Sequence, residues 1–161
     1  MLRPALSEDV DAFHSILSDE RAMAYWSTSP HQTIAETREW VSAMISIEPK
    51  VGEDFAIEHS GRVIGKVGLY NFPEVGFILH PDVWGRGYAL EALRPVIDRA
   101  FSVHRLPSVN ADVDPRNGAS LRVLTRLGFK EVGRASRTWF VGGEWCDSVY
   151  LSLFNNDREG S

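Results

Sequence analysis

The sequence predicts a mixed α/β fold in which a largely antiparallel sheet is flanked by helices. Two observations carry this. Apolar residues recur at helical spacing near the N-terminus, switch to two-residue alternation from Glu53, and then change back and forth between the two periods. At the first return to helical spacing, the apolar run Val75 to Leu79 leads into Trp84-Gly85-Arg86-Gly87-Tyr88-Ala89 and a long amphipathic stretch from Tyr88 to Phe101. That order is strand, glycine turn, helix start.

Each element has its own local signal. Leu2 to Leu6 is a short apolar start, after which Ser7 is placed to cap a helix with Glu8, Asp9 and Asp11 in its first turn and Val10, Phe13, Ile16 and Leu17 on one face. Thr33-Ile34-Ala35-Glu36 is a capping box for a second helix with the stripe Ile34, Trp40, Val41, Met44 and Ile45. Between the two lies a loop of aromatic and hydroxyl residues, Tyr25 to His31. Phe55 to His59, Arg62 to Tyr70 and Val75 to Leu79 alternate as three antiparallel strands, joined at Ser60-Gly61 and around Asn71-Phe72-Pro73. The next helix buries Leu90, Leu93, Val96, Ile97, Ala100 and Phe101, with a kink expected at Pro95, which lacks an N–H and presses on the Glu91 carbonyl. Pro107 to Val113 is a further strand, and Ala119 to Leu127 a helix stopped by Gly128. Phe129 to Trp139 and Glu144 to Phe154 form a hairpin turned at Gly142-Gly143. One domain over residues 1–154 and a loose polar tail over 155–161 are expected.

The glycine turn bears on function. Two glycines let the backbone turn tightly, so successive N–H groups point into one concavity at the positive end of a helix dipole, which suits phosphate or pyrophosphate. A helix entry without a ligand has the same local sequence. No Gly-Lys-Ser/Thr ending follows, so no lysine is placed for a terminal phosphate. About 20 residues on, where a dinucleotide fold has its ribose-binding carboxylate, stand His104-Arg105-Leu106. A different pyrophosphate carrier is implied.

Composition narrows the class. The chain of 161 residues is 43% apolar, enough for a sizeable core, and its 22 acidic against 17 basic residues give a net charge of −5, which argues against a nucleic-acid binder. The acidity suits a cationic or amine-bearing partner. No segment has the 18 or so consecutive apolar residues of a membrane span. Ser7-Glu8-Asp9 and Asp11 interrupt any signal-peptide core, and the single Cys146 makes no internal disulfide. A cytoplasmic protein, monomeric or homodimeric, is expected. His14, His31, His59, His80 and His104 show no metal spacing, so no metal is expected.

Three motifs at the right separations then carry a family resemblance. They are Val75-Gly76-Phe77-Ile78-Leu79-His80-Pro81 leading into Trp84-Gly85-Arg86-Gly87-Tyr88-Ala89-Leu90-Glu91-Ala92; Asp114-Pro115-Arg116-Asn117-Gly118-Ala119-Ser120; and Leu127-Gly128-Phe129. With them the chain resembles the GNAT superfamily of acetyl-CoA-dependent N-acetyltransferases over nearly its full length. Trp-Gly-x-Gly-Tyr-Ala is similar to the branch that acetylates the N-terminal amine of ribosomal proteins. The resemblance implies a GNAT-like sheet splayed where the cofactor binds, at a fork between Val75–Leu79 and Pro107–Val113 near Gly76 and Asn110, with helices on both faces. One departure stands out: many relatives place a Tyr seven residues after the Asn as the acid for the leaving thiolate, and here that residue is Leu124.

The resemblance also assigns candidate roles. Gly85, Arg86, Gly87, Tyr88 and Ala89 would hold the pyrophosphate through main-chain N–H groups, and Ile78 and Leu79 would pair with the pantetheine arm, an N–H near Ile78 serving the thioester oxygen. Asn117 and Ser120 would stand near the sulfur, Asn117 equally being a helix cap and Ser120 a proton donor. Glu74 would be the general base, or else an exposed turn carboxylate after Pro73. Tyr25 and Trp26 would wall the acceptor pocket, or else lid the core, and Trp139, Phe140 and Trp145 carry the same two readings. The implied activity is direct acetyl transfer from acetyl-CoA to a primary amine: a protein or peptide N-terminus on the branch resemblance alone, or a small-molecule amine. Leu124 keeps open an alternative, a catalytically silent acyl-CoA-binding or sensor module.

Overall fold

The computed structural model describes residues 1–156. In chain order the elements are β1 (Leu2–Arg3), a 3-10 turn (Ser7–Asp9), α1 (Val10–Leu17), α2 (Ile34–Ile45), β2 (Glu53–His59), β3 (Arg62–Asn71), β4 (Glu74–Leu79), a 3-10 turn (Pro81–Val83), α3 (Tyr88–Ser102), β5 (Ser108–Val113), α4 (Gly118–Arg126), β6 (Lys130–Val141) and β7 (Glu144–Phe154). The strands form one sheet in the order β1-β2-β3-β4-β5-β7-β6. Its neighbours are antiparallel except β4 and β5, which run parallel and share the pair Glu74 and Asn110. Beyond that pair the two strands diverge.

Helices cover both faces. On one, α3 and α4 pack Leu93, Val96, Ile97, Ala100 and Leu124 against Val67, Leu69, Val75, Val109, Val149 and Leu151. Each large apolar side chain buried there contributes roughly 1.5–3 kcal/mol before entropy is counted. On the other, α1 and α2 pack Phe13, Ile16, Leu17, Val41 and Met44 against Ala56, Val63 and Ile78, reaching only the β2–β4 half of the sheet. Toward β5 and β7 the residues on that face become polar: Asn110, Asp112, Ser148, Tyr150 and Ser152. The uncovered half leaves room for a site.

Local expectations hold with some corrections. Ser7 does not cap α1; it opens the 3-10 turn, whose cap position is Leu6, and Asp9 is the cap residue of α1, its Oδ2 accepting from the Leu6 N–H at 2.8 Å and its carboxylate held by the Arg3 guanidinium at 2.9 Å. In α2, Thr33 accepts from the Glu36 N–H, but Ile34 and Ile45 of the expected stripe are exposed. Fully buried Thr37 takes their place, with its hydroxyl between His14 Nδ1 at 2.7 Å and His31 Nδ1 at 2.8 Å. The helix α3 runs on through Pro95, which lies on the exposed side with Glu91, so the carbonyl without a donor meets water. Of the expected tail, the Asn155 N–H donates to the Pro107 carbonyl, and 157–161 lie outside the described residues. Among the described residues no helix is long and apolar enough to cross a membrane.

Candidate active site

The fork between β4 and β5 opens onto the glycine turn. Gly85 and Gly87 take φ of +76° and +80°, the left-handed region that side chains disfavour, and a Cβ at either would meet nothing within 4 Å. Gly87 is the residue before α3, so the unpaired N–H groups of the first helical turn lie next to it. Trp84 fastens the turn to β4, its Nε1 donating to the Leu79 carbonyl at 3.1 Å. The side chain of Arg86 is exposed and is not among the groups lining the cleft, so only its main chain is in play there.

The register of β4 decides which amides face the fork. The His80 N–H donates to the Ile64 carbonyl at 2.8 Å, and Ile78 lies opposite Lys66, two residues back on each strand. Antiparallel residues alternate in the neighbour they face, so Ile78 too turns its N–H and C=O to β3. Phe77 and Leu79 turn theirs to the side where β5 has diverged. Sequence reading grouped Ile78 with Leu79; the alternation instead makes Phe77 the companion of Leu79.

A cleft of about 920 Å³ follows the fork. Its walls include Gly76 to Leu79, Gly85, Gly87, Tyr88 and Ala89, with Asn117, Ser120 and Leu124 from the start and middle of α4, and Tyr25 and Trp26 from the α1–α2 loop. Segments far apart in the sequence thus meet at one opening. Asn117 is the cap of α4, its Oδ1 accepting from the Ser120 N–H at 3.2 Å, so the two are held together. Leu124 is completely buried. Tyr25 is exposed, whereas Trp26 is half-buried against the core under α1 and α2.

Glu74 stands apart, at the closed root of the fork, where a second cavity of about 420 Å³ is lined by Tyr70, Glu74, Asn110, Asp112, Trp139 and Tyr150 among others. Asp112 and Ala111 line both spaces. Burial, and then the neighbouring Asp112 carboxylate, push the Glu74 carboxyl above its ordinary range against an opposing hydrogen bond from Asn110. That is the direction which makes a carboxylate a better proton acceptor. Asp112 in turn accepts from Trp139 Nε1 at 3.1 Å.

Beneath these groups lies an ion pair that sequence reasoning missed. Lys66 Nζ donates to Asp54 Oδ2 at 2.9 Å with both side chains only 4% exposed, and it sits 5.8 Å from the Trp26 ring centre and 5.4 Å from that of Tyr70. Tyr70, Asp112 and Arg116 were likewise not expected at the site. A signal for Asp112 existed, since Asn110 and Asp112 are the polar positions of an alternating strand whose other face, Val109, Ala111 and Val113, is apolar. Nothing local marks Tyr70 or Lys66. Among the described residues no group of three or more His, Cys, Asp or Glu is placed to hold a metal ion.

Comparison with known proteins agrees with this fold. Spermidine N(1)-acetyltransferase of Escherichia coli K12 is 24% identical over 96% of this chain and 86% of its own length. The crystal structure of spermidine N-acetyltransferase from Vibrio cholerae in complex with CoA and spermine superposes with a TM-score of 0.84 at 21% identity, covering 98% of this chain and 96% of that one. A ribosomal-protein-alanine N-acetyltransferase from Brucella melitensis shares the fold as well, with a TM-score of 0.77 at 19% identity over 96% of this chain and 99% of that one. The model of the acetyltransferase (GNAT) domain matches residues 1–130, and with that match the chain belongs to the GNAT acetyltransferase family.

Proposed function

We propose that residues 1–154 form an acetyl-CoA-dependent N-acetyltransferase domain that passes an acetyl group directly to a primary amine. The observation that carries this is the parallel fork, joined at Glu74 and Asn110 and opening onto the left-handed glycine turn before α3. The amides from Gly85 to Ala89 fit a pyrophosphate, since the space that a Cβ would take at Gly85 and Gly87 is empty. The β4 amides of Leu79 and Phe77 are the ones turned to take the pantetheine arm as an added strand, one N–H serving the thioester oxygen as charge develops. Ile78 contributes its place on the cleft wall and Arg86 its main chain.

Glu74 takes the proton from the acceptor ammonium or, through water, from the attacking nitrogen. A new C–N bond forms as the C–S bond breaks, and the departing thiolate takes a proton from Ser120 or from solvent. With Leu124 in place of a phenol, no stronger acid is needed, because a thiolate with a pKa near 8.5 is a competent leaving group. Asn117 holds Ser120 at the cleft, and Tyr25 and Trp26 border the acceptor side.

The acceptor is a small cationic amine or a peptide N-terminus. The proteins named above include spermidine acetyltransferases and a ribosomal-protein-alanine N-acetyltransferase, and the carboxylates Glu74 and Asp112 beside Tyr70, Trp139 and Tyr150 favour an acceptor with cationic character. Release of coenzyme A thiol, measured across a panel of polyamines, amino acids and N-terminal peptides, tests the proposal. The second reading, a silent acyl-CoA sensor, rests on Leu124 and predicts binding of acetyl-CoA by calorimetry with no turnover of any amine.

A further inference from the structure

The turn between β5 and α4 carries Arg116, which touches three separate segments around the cleft. Its guanidinium pairs with Asp114 through Nε at 3.0 Å and NH2 at 2.7 Å, reaches Glu144 at the start of β7 through NH1 at 3.2 Å, and lies 3.6 Å from Cys146 Sγ. It also stacks over the Tyr25 ring of the α1–α2 loop at 5.4 Å. Cys146 is the cross-strand partner of Trp139, the residue that walls the second cavity and donates to Asp112. The next residue in the chain, Asn117, caps α4 on the cofactor side.

We infer that Arg116 is a positioning residue: a clasp that fixes the two aromatic walls of the acceptor site, Tyr25 on one side and Trp139 on the other, relative to the cofactor turn. This rests on the acetyltransferase reading above. A planar fork of five donors is what the task requires, because one guanidinium must satisfy two carboxylates in different directions and still offer its face to a ring. Lysine, a point charge with no face, satisfies one carboxylate at a time. Trp139 has its own tie to β5 through Asp112, but toward the turn, where Phe140 and Trp145 pack on each other at a tilt and both faces of β6 are largely exposed, Arg116 is the group that links the β7 side of the hairpin to the α1–α2 loop. Loosening the clasp therefore widens the acceptor opening while leaving the glycine turn as it is.

Hydrogen–deuterium exchange and steady-state kinetics on the full chain test this with Arg116→Gln, Arg116→Lys, Glu144→Gln and the Arg116→Gln/Glu144→Gln pair. Because the Arg116 side chain is 50% exposed, melting temperature is expected to move by no more than about 3 °C. Exchange should quicken in 139–146 and in 25–31 of both Arg116 variants, with α3 unchanged. The acceptor KM should rise about tenfold with kcat within about twofold and coenzyme A affinity unaltered, which is the signature of lost positioning in place of lost chemistry. Arg116→Lys should resemble Arg116→Gln, and the pair should be no worse than Arg116→Gln alone, since both changes break one contact. Unchanged exchange in the hairpin and loop overturns the clasp; so does full rescue by lysine, which would reduce the role to charge. Faster exchange with an unchanged acceptor KM overturns the positioning role. If the unaltered protein turns over no amine, the acetyltransferase reading fails by itself, and the exchange data still decide whether the clasp exists.

Discussion

Replacing Gly87 by alanine separates backbone strain from lost ligand contacts, because the fold contains a matched control. Gly87 at φ +80° and Gly143 at φ +81° both have nothing within 4 Å of where a Cβ would stand. Gly87 lines the cleft at the start of α3, and Gly143 lies in the β6–β7 turn outside it. A side chain in the left-handed region costs roughly 1–2 kcal/mol at either place, so both variants should melt about 2–8 °C lower and by similar amounts. Only at Gly87 does the new methyl occupy space that a pyrophosphate would approach. Losing one hydrogen bond from an amide to an anion is worth about 1.5–3 kcal/mol, so coenzyme A should bind roughly 10- to 150-fold more weakly to Gly87→Ala. Gly143→Ala should bind it as the unaltered chain does. Calorimetric titration of the three proteins at one temperature reads this directly. An unchanged dissociation constant in a folded Gly87→Ala, or an equal loss in Gly143→Ala, would refute the assignment of this turn to the pyrophosphate.

Glu74→Gln should lower kcat/KM by about 10²-fold or more with coenzyme A affinity intact, because only proton transfer loses its partner. Burial and Asp112 hold the Glu74 carboxyl above its ordinary range, so activity should fall as pH drops through that raised value. Asp112→Asn removes the like charge and should shift this acid limb of the pH–rate profile to lower pH; a limb that stays put would place the base elsewhere. Leu124→Tyr, which restores the family's usual phenol, puts a larger ring where the side chain is fully buried. Overpacking of roughly 1–3 kcal/mol should lower the melting temperature by about 2–12 °C, and a melt unchanged or raised would show unfilled space there. Lys66→Met strands the Asp54 carboxylate in the interior and should cost about 3–5 kcal/mol in denaturant unfolding, most of it recovered in Lys66→Met/Asp54→Leu. If the double variant is no more stable than the single, lost packing and not the stranded charge is the cause.

What the chain announced in its sequence was whatever depends on near neighbours. The glycine turn between a strand and an amphipathic helix, the Ser60-Gly61 and Gly142-Gly143 hairpins, and the cap at Asn117 are all written within a few residues, because turn geometry, capping and periodicity are local physics. The family motifs were legible for the same reason. Tertiary structure decided what depends on register and on which segments meet. The β4 ladder turned Leu79 and Phe77 toward the fork and Ile78 away from it, since moving by one residue along a strand reverses its hydrogen-bonding side. Thr37 rather than Ile34 or Ile45 entered the core because the crossing of α1 and α2 chose the stripe, and two histidines satisfied its hydroxyl. Asp112 beside Glu74, Lys66 beneath Trp26, and Arg116 between Tyr25 and Glu144 bring together residues from 28 to 119 positions apart. No window of sequence spans such distances, and the electric environment of Glu74 came into being only when β4 and β5 were laid side by side.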